Sequence, residues 1–472
     1  MSGMINQGTF PGTEEIFGWI EDMAAFGHRR TGTPQGLQSA KYLRDQFLAF
    51  GLTEVEIEDC KSMCMFVDKC SLTVDGVPVE TMFANGTNRR GEEGTFVSGG
   101  DGKVRQLVYL GKGLKEDFEG ADIEGKIVVC DIYFRTLPIG YIVDEIGEEL
   151  VYDKEGRLKQ SDPILDIYSP NNWPGNYFMA QLKGAAGFIG ILRDYVDDPY
   201  WYSEDYTFFG EEMGIRYMEM PGMWISKTSG DWLVRKLQAS DAVCADMEMV
   251  SRYEYKDAHN VKGVIKGASD EIVLIHSHHD AVFAGGVQDA SGMSQVLALA
   301  KYFGNPENKK SDKTYMFAAM DTHFTDYCGH EAFLAKRLEK KDNIVYDFVV
   351  EHLGKDVVIK DGRFAETGEG VPKIVYVSEE SGLAGAVVEG LKKYDIDKTI
   401  VVPVAHKEGE PDPDDLTNVI SDAYVFEEAG IRVVSMVSSP AYLYHPSDTP
   451  ERVMKEWLKP VAMMYAEIIE SL

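Results

Sequence analysis

The sequence contains few positive charges for its length. Its 47 lysine and arginine residues stand against 78 aspartate and glutamate residues, which gives a formal net charge of −31. Because nucleic-acid binding depends on clustered basic side chains that contact phosphates, this balance argues against DNA or RNA as a partner. The excess of acidic side chains indicates instead a strongly solvated surface.

Long apolar runs are missing as well. No stretch reaches about 18 consecutive apolar residues, so the sequence predicts no membrane span. Residues 1–13 lack the basic segment and apolar core of a signal peptide, and we therefore expect a cytoplasmic protein. The six cysteines form neither CxxC pairs nor a disulfide framework, which is typical of free thiols in a reducing compartment.

The patterning of apolar residues divides the 472 residues into three segments. We expect residues 1–103 to be the N-terminal part of a catalytic domain, residues 104–245 to be an insert, and residues 246–472 to be the catalytic core. In the core, strands alternate with helices, which predicts an α/β fold with a sheet covered on both faces. The expected core strands are Val261–Ile265, Ile272–His276, Thr314–Met320, Val345–Val350, Lys373–Tyr376 and Val433–Val437.

Side chains that suit metal binding follow the ends of these predicted strands. His278 and Asp280 follow one strand, and Glu351 follows another. Asp289 opens a predicted helix, and His445 lies beyond the last core strand. In open α/β sheets, ligands bind outside the carboxyl ends of the strands. Imidazole and carboxylate groups at that edge predict a site for zinc or a similar divalent ion.

The order of these motifs resembles a known family. HxD at His278, DxSG at Asp289, an acid at a strand end and YHxxDT around His445 are similar to the zinc aminopeptidases of the aminopeptidase S and glutamate carboxypeptidase clan. The resemblance implies a phosphorylase/hydrolase-like mixed sheet flanked by helices. Residues 125–129 and 183–189 resemble a protease-associated domain, which implies a mainly β insert.

The resemblance also implies a role for each motif residue. His278 matches the first histidine ligand, and Asp280 matches the aspartate that orients it. Asp289 matches the carboxylate that bridges two metal ions. Glu351 matches the acid that completes the first metal's ligands, and His445 matches the last ligand of the second metal.

One part of the family pattern is missing. The family has a Glu-Glu pair after its next core strand, the first as general base and the second as metal ligand, but residues 317–330 contain neither glutamate at that place. An ungapped alignment puts His323 at the position of the base and Phe324 at that of the ligand. An alignment shifted by one puts Thr322 at the base and His323 on the metal. Either way we expect His323 in the site, as general base or ligand.

Three functions remain open on these grounds. The first is a metal-dependent hydrolase that cleaves an amide or peptide-like bond in a small substrate, with zinc as one or two ions. The second is a non-hydrolytic metalloenzyme, a lyase or isomerase, with a mononuclear iron or manganese site. The third is a non-catalytic binding protein. The acidic loop at residues 408–415 could recognise a cationic substrate, and the insert offers a surface for a homodimer.

Overall fold

The computed structural model describes residues 5–100, 103–160, 163–308, 310–405 and 417–472. Its ten described α-helices are α1 Thr13–Ala24, α2 Pro34–Ala49, α3 Ile139–Ile146, α4 Gly175–Leu182, α5 Lys227–Ala239, α6 Ala290–Gly304, α7 Cys328–Lys340, α8 Ala384–Tyr394, α9 Tyr424–Glu428 and α10 Lys455–Ser471. In the described part of the chain, none of them is long and apolar enough to cross a membrane.

The first strand follows α2, and the other helices lie among or after the later strands. They are β1 Thr53–Val74, β2 Val77–Val79, β3 Met82–Phe83, β4 Gly94–Ser98, β5 Arg105–Tyr109, β6 Ile127–Ile132, β7 Phe134–Leu137, β8 Val151–Tyr152, β9 Ile164–Pro170, β10 Gly187–Leu192, β11 Gly222–Ile225, β12 Cys244–Ile265, β13 Glu271–His278, β14 Thr314–Met320, β15 Asn343–Val350, β16 Lys355–Lys360, β17 Arg363–Gly370, β18 Lys373–Ser378, β19 Thr399–Val404 and β20 Arg432–Ser438.

The core sheet has the order β12-β14-β13-β15-β20-β18-β19. Strands β14, β13, β15 and β20 run parallel, whereas β12 and β18 join the sheet antiparallel. The apolar side chains of β13 alternate between two clusters. One cluster contains α1, α6 and α10, and the other contains α7 and α9. The predicted mixed sheet flanked by helices is therefore confirmed, with helices on both faces as its continuous apolar strands require.

A long two-stranded ribbon connects the core to the insert. β1 and β12 pair antiparallel from Thr53↔Val264 to Val74↔Ala245. One end of β12 pairs with β14 in the core, and the other end pairs with β5 in the insert. Both sheets therefore belong to one continuous hydrogen-bonded array, and the position of the insert relative to the core is fixed by backbone pairing.

A second sheet has the order β3-β11-β10-β6-β5; the insert contributes β5, β6, β10 and β11, and the N-terminal segment contributes the edge strand β3. Strands β5, β6, β10 and β11 are parallel, and the helices α4 and α5 pack against β10. Parallel strands need crossover connections, and helices serve as such connections here. The insert thus combines helices and strands more evenly than a mainly β domain would. Its likeness to a protease-associated domain and the three domain boundaries stay predictions.

An arm from the insert reaches across to the far edge of the core sheet. The arm leaves β6 through β7, continues into α3 and β8, and returns through β9, which pairs with β7. β8 pairs with the edge strand β19, and the buried side chains of Ile139, Ile142 and Val143 pack against Ile400 and Val402. The arm therefore spans the core sheet instead of standing free in solvent.

Candidate metal centre

Four of the predicted site residues lie at the carboxyl end of the parallel strands. His278 is the last residue of β13, His323 follows β14 and Glu351 follows β15. Asp289 caps α6, where its side chain accepts a hydrogen bond from the backbone N–H of Gly292. β13 lies between β14 and β15 in the sheet, so the ends of these three strands bring distant parts of the sequence together. All four side chains are buried.

The loop that carries this end of β13 is held by a buried arginine. The guanidinium group of Arg29 donates hydrogen bonds to the carbonyl oxygens of His279, Ala284 and Gly285. Arg29 is fully buried, and burial lowers its pKa to about 10. The N-terminal segment therefore fixes the backbone between the two predicted ligands His278 and Asp289.

The side chain of His278 contacts Asp280, the residue expected to orient it. The Nδ1 atom of His278 lies 3.0 Å from the carbonyl oxygen of Asp280 and 3.3 Å from its Oδ1 atom. The Asp280 carboxylate also accepts hydrogen bonds from the backbone N–H groups of His323 and Phe324. Burial acts to raise the pKa of Asp280, but the hydrogen bond and charge of His278 outweigh it and lower the pKa. The Nε2 atom of His278 is thereby left to face the site.

His323 is oriented in the same way by a different carboxylate. Its Nδ1 atom lies 2.9 Å from Oδ1 of Asp422. The rings of His323 and His278 stack with 4.0 Å between their centroids. The amide nitrogen of Gln288 lies 3.0 Å from Nε2 of His323 and 3.4 Å from Nε2 of His278. Both Nε2 atoms therefore face one small region, which favours His323 as a metal ligand over His323 as a free base.

The neighbours of His323 agree with this interpretation. Phe324, the ligand position of the ungapped alignment, packs its ring against His278 and Tyr444. The hydroxyl group of Thr322 accepts a hydrogen bond from the backbone N–H of Gly329 and helps to begin α7. Asp321 accepts hydrogen bonds from Thr31 and from the backbone of the β1–β12 ribbon.

Asp422 is a site residue that the sequence did not identify. Its carboxylate lies between two imidazoles, 2.9 Å from His323 and 3.2 Å from Nε2 of His330. Its backbone N–H donates to Oε1 of Glu351. Burial acts to raise the pKa of Asp422, but the charges of His330 and His323 hold it well below its usual range. Asp422 precedes α9 and does not follow a strand end, so the strand-end pattern that marked the other residues did not include it.

Burial and neighbouring charges shift the pKa values of the acids at the centre. Burial, together with the charge of Asp422, raises the pKa of Glu351 and of Asp289 well above the usual range. At His323, burial acts to lower the pKa, but Asp422 outweighs it and raises the pKa to about 9. Carboxylates buried this deeply are stabilised by a paired cation. The region therefore favours the arrival of positive charge, either as a proton or as a metal ion.

The side chains present fit a divalent ion. His278, His323 and Asp422 each offer a ligand atom, and these three atoms lie within 4.8 Å of one another. The same is true of His278, Glu351 and His352. His278 is common to both groups, so together they outline one centre of imidazoles and carboxylates, the donor set that zinc prefers.

His445, predicted as the last ligand, lies apart from these groups. Its Nε2 atom is 3.0 Å from Oδ2 of Asp198, and its Nδ1 atom contacts the hydroxyl group of Ser447. Its ring packs edge-on against Tyr195 and Phe364. Both ring nitrogens of His445 therefore have partners outside the cluster of ligand atoms.

Side chains of the insert lie next to the centre. Glu204 lies with its Oε1 atom 3.9 Å from Nε2 of His323 and accepts a hydrogen bond from the hydroxyl group of Tyr444. Tyr168 of β9 packs edge-on against Tyr444. The insert and its arm thus add an acid and aromatic rings to a centre built by the core. The acidic loop at residues 408–415 lies outside the described residues.

Comparisons with known proteins agree with this fold. Residues 260–469 match Peptidase family M28. The zinc aminopeptidase of Bacillus subtilis has the same fold with a TM-score of 0.64 and 18% identity, over 98% of this chain and 96% of that one. The aminopeptidase of Aneurinibacillus sp. strain AM-1 gives a TM-score of 0.61 and 19% identity over 98% and 94%. A Peptidase M28 precursor from Shewanella amazonensis gives 0.66 and 16% over 96% and 92%. A comparison with curated protein sequences gives no match.

The fold and the matched region together indicate the class of protein. The core has the architecture of the metal-dependent, peptidase-like hydrolases. More particularly, residues 260–469 match the model of Peptidase family M28, and the predicted likeness to zinc aminopeptidases is confirmed at the level of the fold.

Proposed function

We propose that this protein hydrolyses an amide or peptide-like bond in a small substrate, at a centre that holds one or two divalent ions, zinc foremost. His278, His323, Glu351 and Asp289 are the proposed ligands. The observation that carries the proposal is the matched pair of imidazoles. His278 and His323 are each held at Nδ1 by a carboxylate, and their Nε2 atoms face the same point. A carboxylate behind each histidine is the usual support of a metal-binding imidazole.

The chemistry follows from the residues present. A divalent ion bound there supplies a Lewis acid that polarises a carbonyl group and lowers the pKa of water. With both ring nitrogens of His323 directed at partners, another group has to accept the proton of the attacking water. Glu204 is placed for that role, because its carboxylate is 3.9 Å from His323 and is held by Tyr444. In the family the general base follows a strand of the core. In this protein the proton acceptor would come from the insert.

The surroundings of the centre support a small substrate. The proposed ligands are at most 6% exposed. Glu204 from the insert lies 3.9 Å from His323, and Tyr168 from the arm packs against Tyr444. A cleft that is covered in this way admits the end of a chain or a small molecule more readily than the middle of a folded protein.

A second function stays open for a specific reason. Two imidazoles with one carboxylate, such as His278, His323 and Glu351, form a ligand set that also suits ferrous iron or manganese. The missing glutamate pair removes the acid that the family uses as its general base. A lyase or isomerase with a single ion is therefore the alternative.

The test combines metal analysis with a substrate panel. The full chain is purified without added ions, its metals are quantified, and it is assayed on aminoacyl amides, dipeptides and N-acylated amino acids. We expect zinc in the protein and hydrolysis of at least one class, both lost in His278→Ala. His259→Ala is the matched control, because His259 contacts Asp59 away from the centre. Iron or manganese without hydrolysis would favour the alternative, and activity in His278→Ala would refute the proposal.

A further inference from the structure

His352 is a buried histidine that no expected role accounts for. It directly follows Glu351, and its side chain is only 2% exposed. Its backbone has a φ of +61°, in the left-handed region, and its backbone N–H donates to Oδ1 of Asp289. Its side chain therefore leaves the chain beside two of the proposed ligands.

The hydrogen bonds of His352 determine which ring nitrogen is available. Nδ1 lies 2.7 Å from the carbonyl oxygen of Ser438, so Nδ1 carries the proton and donates. Nε2 is then an acceptor, and it has no hydrogen-bond partner among the described residues. A buried acceptor without a partner is unfavourable, because no hydrogen bond offsets its loss of hydration, and a missing ligand explains why it is retained.

The unpaired nitrogen lies at the metal centre. Nε2 of His352 is 3.9 Å from Oε2 of Glu351, and it belongs to the group of ligand atoms that includes His278 and Glu351. Histidines that bind metals typically donate their other N–H to a backbone carbonyl or a carboxylate, and Ser438 provides that carbonyl here. Position, tautomer and lack of a partner all agree.

We propose that His352 supplies the third imidazole of the metal centre through Nε2, in the place expected for His445. This inference rests on the proposed function, because it requires that the centre binds a metal. It also accounts for the contacts of His445, whose two ring nitrogens bind Asp198 and Ser447. A neutral imidazole in place of the family's glutamate ligand lowers the negative charge of the centre. The lower charge reduces the repulsion among the acids that are buried there.

The experiment counts the imidazoles. The full chain is stripped with a chelator and reloaded with Cu²⁺, and pulsed electron paramagnetic resonance counts the bound histidines. Competition with a chromophoric chelator gives the Kd for Zn²⁺. We compare wild type with His352→Gln, with His445→Gln as the matched control and with His278→Gln as the positive control.

We expect three imidazoles in wild type and in His445→Gln, but two in His352→Gln. Loss of a supporting hydrogen bond alone weakens metal binding about 10–100-fold, so loss of the ligand should raise the Kd of His352→Gln by more than about 100-fold. Three imidazoles in His352→Gln with an unchanged Kd, or two in His445→Gln, would overturn the inference.

The outcomes separate this inference from the proposed function. If His278→Gln binds metal less tightly and His352→Gln does not, only the inference fails. If neither variant changes the Kd, the metal centre itself fails. Should His352→Gln not fold, as circular dichroism would show, the count in His445→Gln decides: three imidazoles support the inference and two refute it.

Discussion

Asp422 offers a sharp test of how the centre is held together. Its carboxylate accepts hydrogen bonds from His323, at 2.9 Å, and from His330, at 3.2 Å. Asp422→Asn keeps the size of the side chain and the backbone hydrogen bond to Glu351, but it removes the charge and replaces one acceptor oxygen with an NH₂ group. His323 then loses the charged partner that holds its Nε2 atom toward His278.

The expected loss can be estimated from the kind of contact. Removing the supporting partner of a metal-binding histidine costs about 10–100-fold in metal affinity, which corresponds to about 1.4–2.7 kcal/mol. We therefore expect the Kd for Zn²⁺ of Asp422→Asn, measured by competition with a chromophoric chelator, to rise by that factor.

A matched control is available in the same sheet. Asp347 and His276 form another fully buried carboxylate–imidazole pair, with 3.1 Å between Oδ1 and Nε2. Asp347→Asn should lower the stability of the protein to a similar extent and leave the Kd within about threefold of wild type, since RT ln 3 is only a fraction of a kcal/mol. If Asp422→Asn binds zinc as tightly as Asp347→Asn does, the reasoning about His323 is wrong.

Three further predictions concern other parts of the structure. Glu204→Gln should lower kcat about 10²–10⁴-fold, as loss of a general base does, with unchanged metal content by elemental analysis. Burial lowers the pKa of Lys373 well below 10.5, so the folded state binds fewer protons than the unfolded state. The free energy of unfolding, measured by urea titration, should therefore rise as the pH approaches 10.5. Lys373→Met should abolish that rise. A Cβ at Gly292 would lie 2.2 Å from a carboxylate oxygen of Asp289, so Gly292→Ala should weaken zinc binding in the same chelator assay. Gly385 in α8 has open space around it, so Gly385→Ala should raise the free energy of unfolding by about 0.5–1 kcal/mol.

The core was predictable because its signals are local. β14 is buried along its whole length and reads as an apolar run; β13 is buried after its first residue, and β15 is buried over its second half. The ribbon was not predictable at its full length. β1 runs for 22 residues with a burial pattern that is largely exposed or half-buried, so its extent depends on pairing with β12, nearly 200 residues later. The pairing of β8 with β19 is non-local in the same way.

The site was predictable where strand ends determine it. His278 and Glu351 meet because parallel neighbours end at one edge of the sheet. His352 was missed because alternation along a strand would turn it away from Glu351, and only the left-handed backbone at His352 brings both side chains to one centre. Asp422 was missed because its partner His330 lies 92 residues away, and sequence spacing does not show that contact.

The most direct test of the central claim is anomalous diffraction at the zinc edge from crystals of the zinc-loaded protein. The account predicts a strong peak at about 2.0–2.1 Å from the Nε2 atoms of both His278 and His323. A fully occupied peak elsewhere, or none at these two nitrogens, would contradict it.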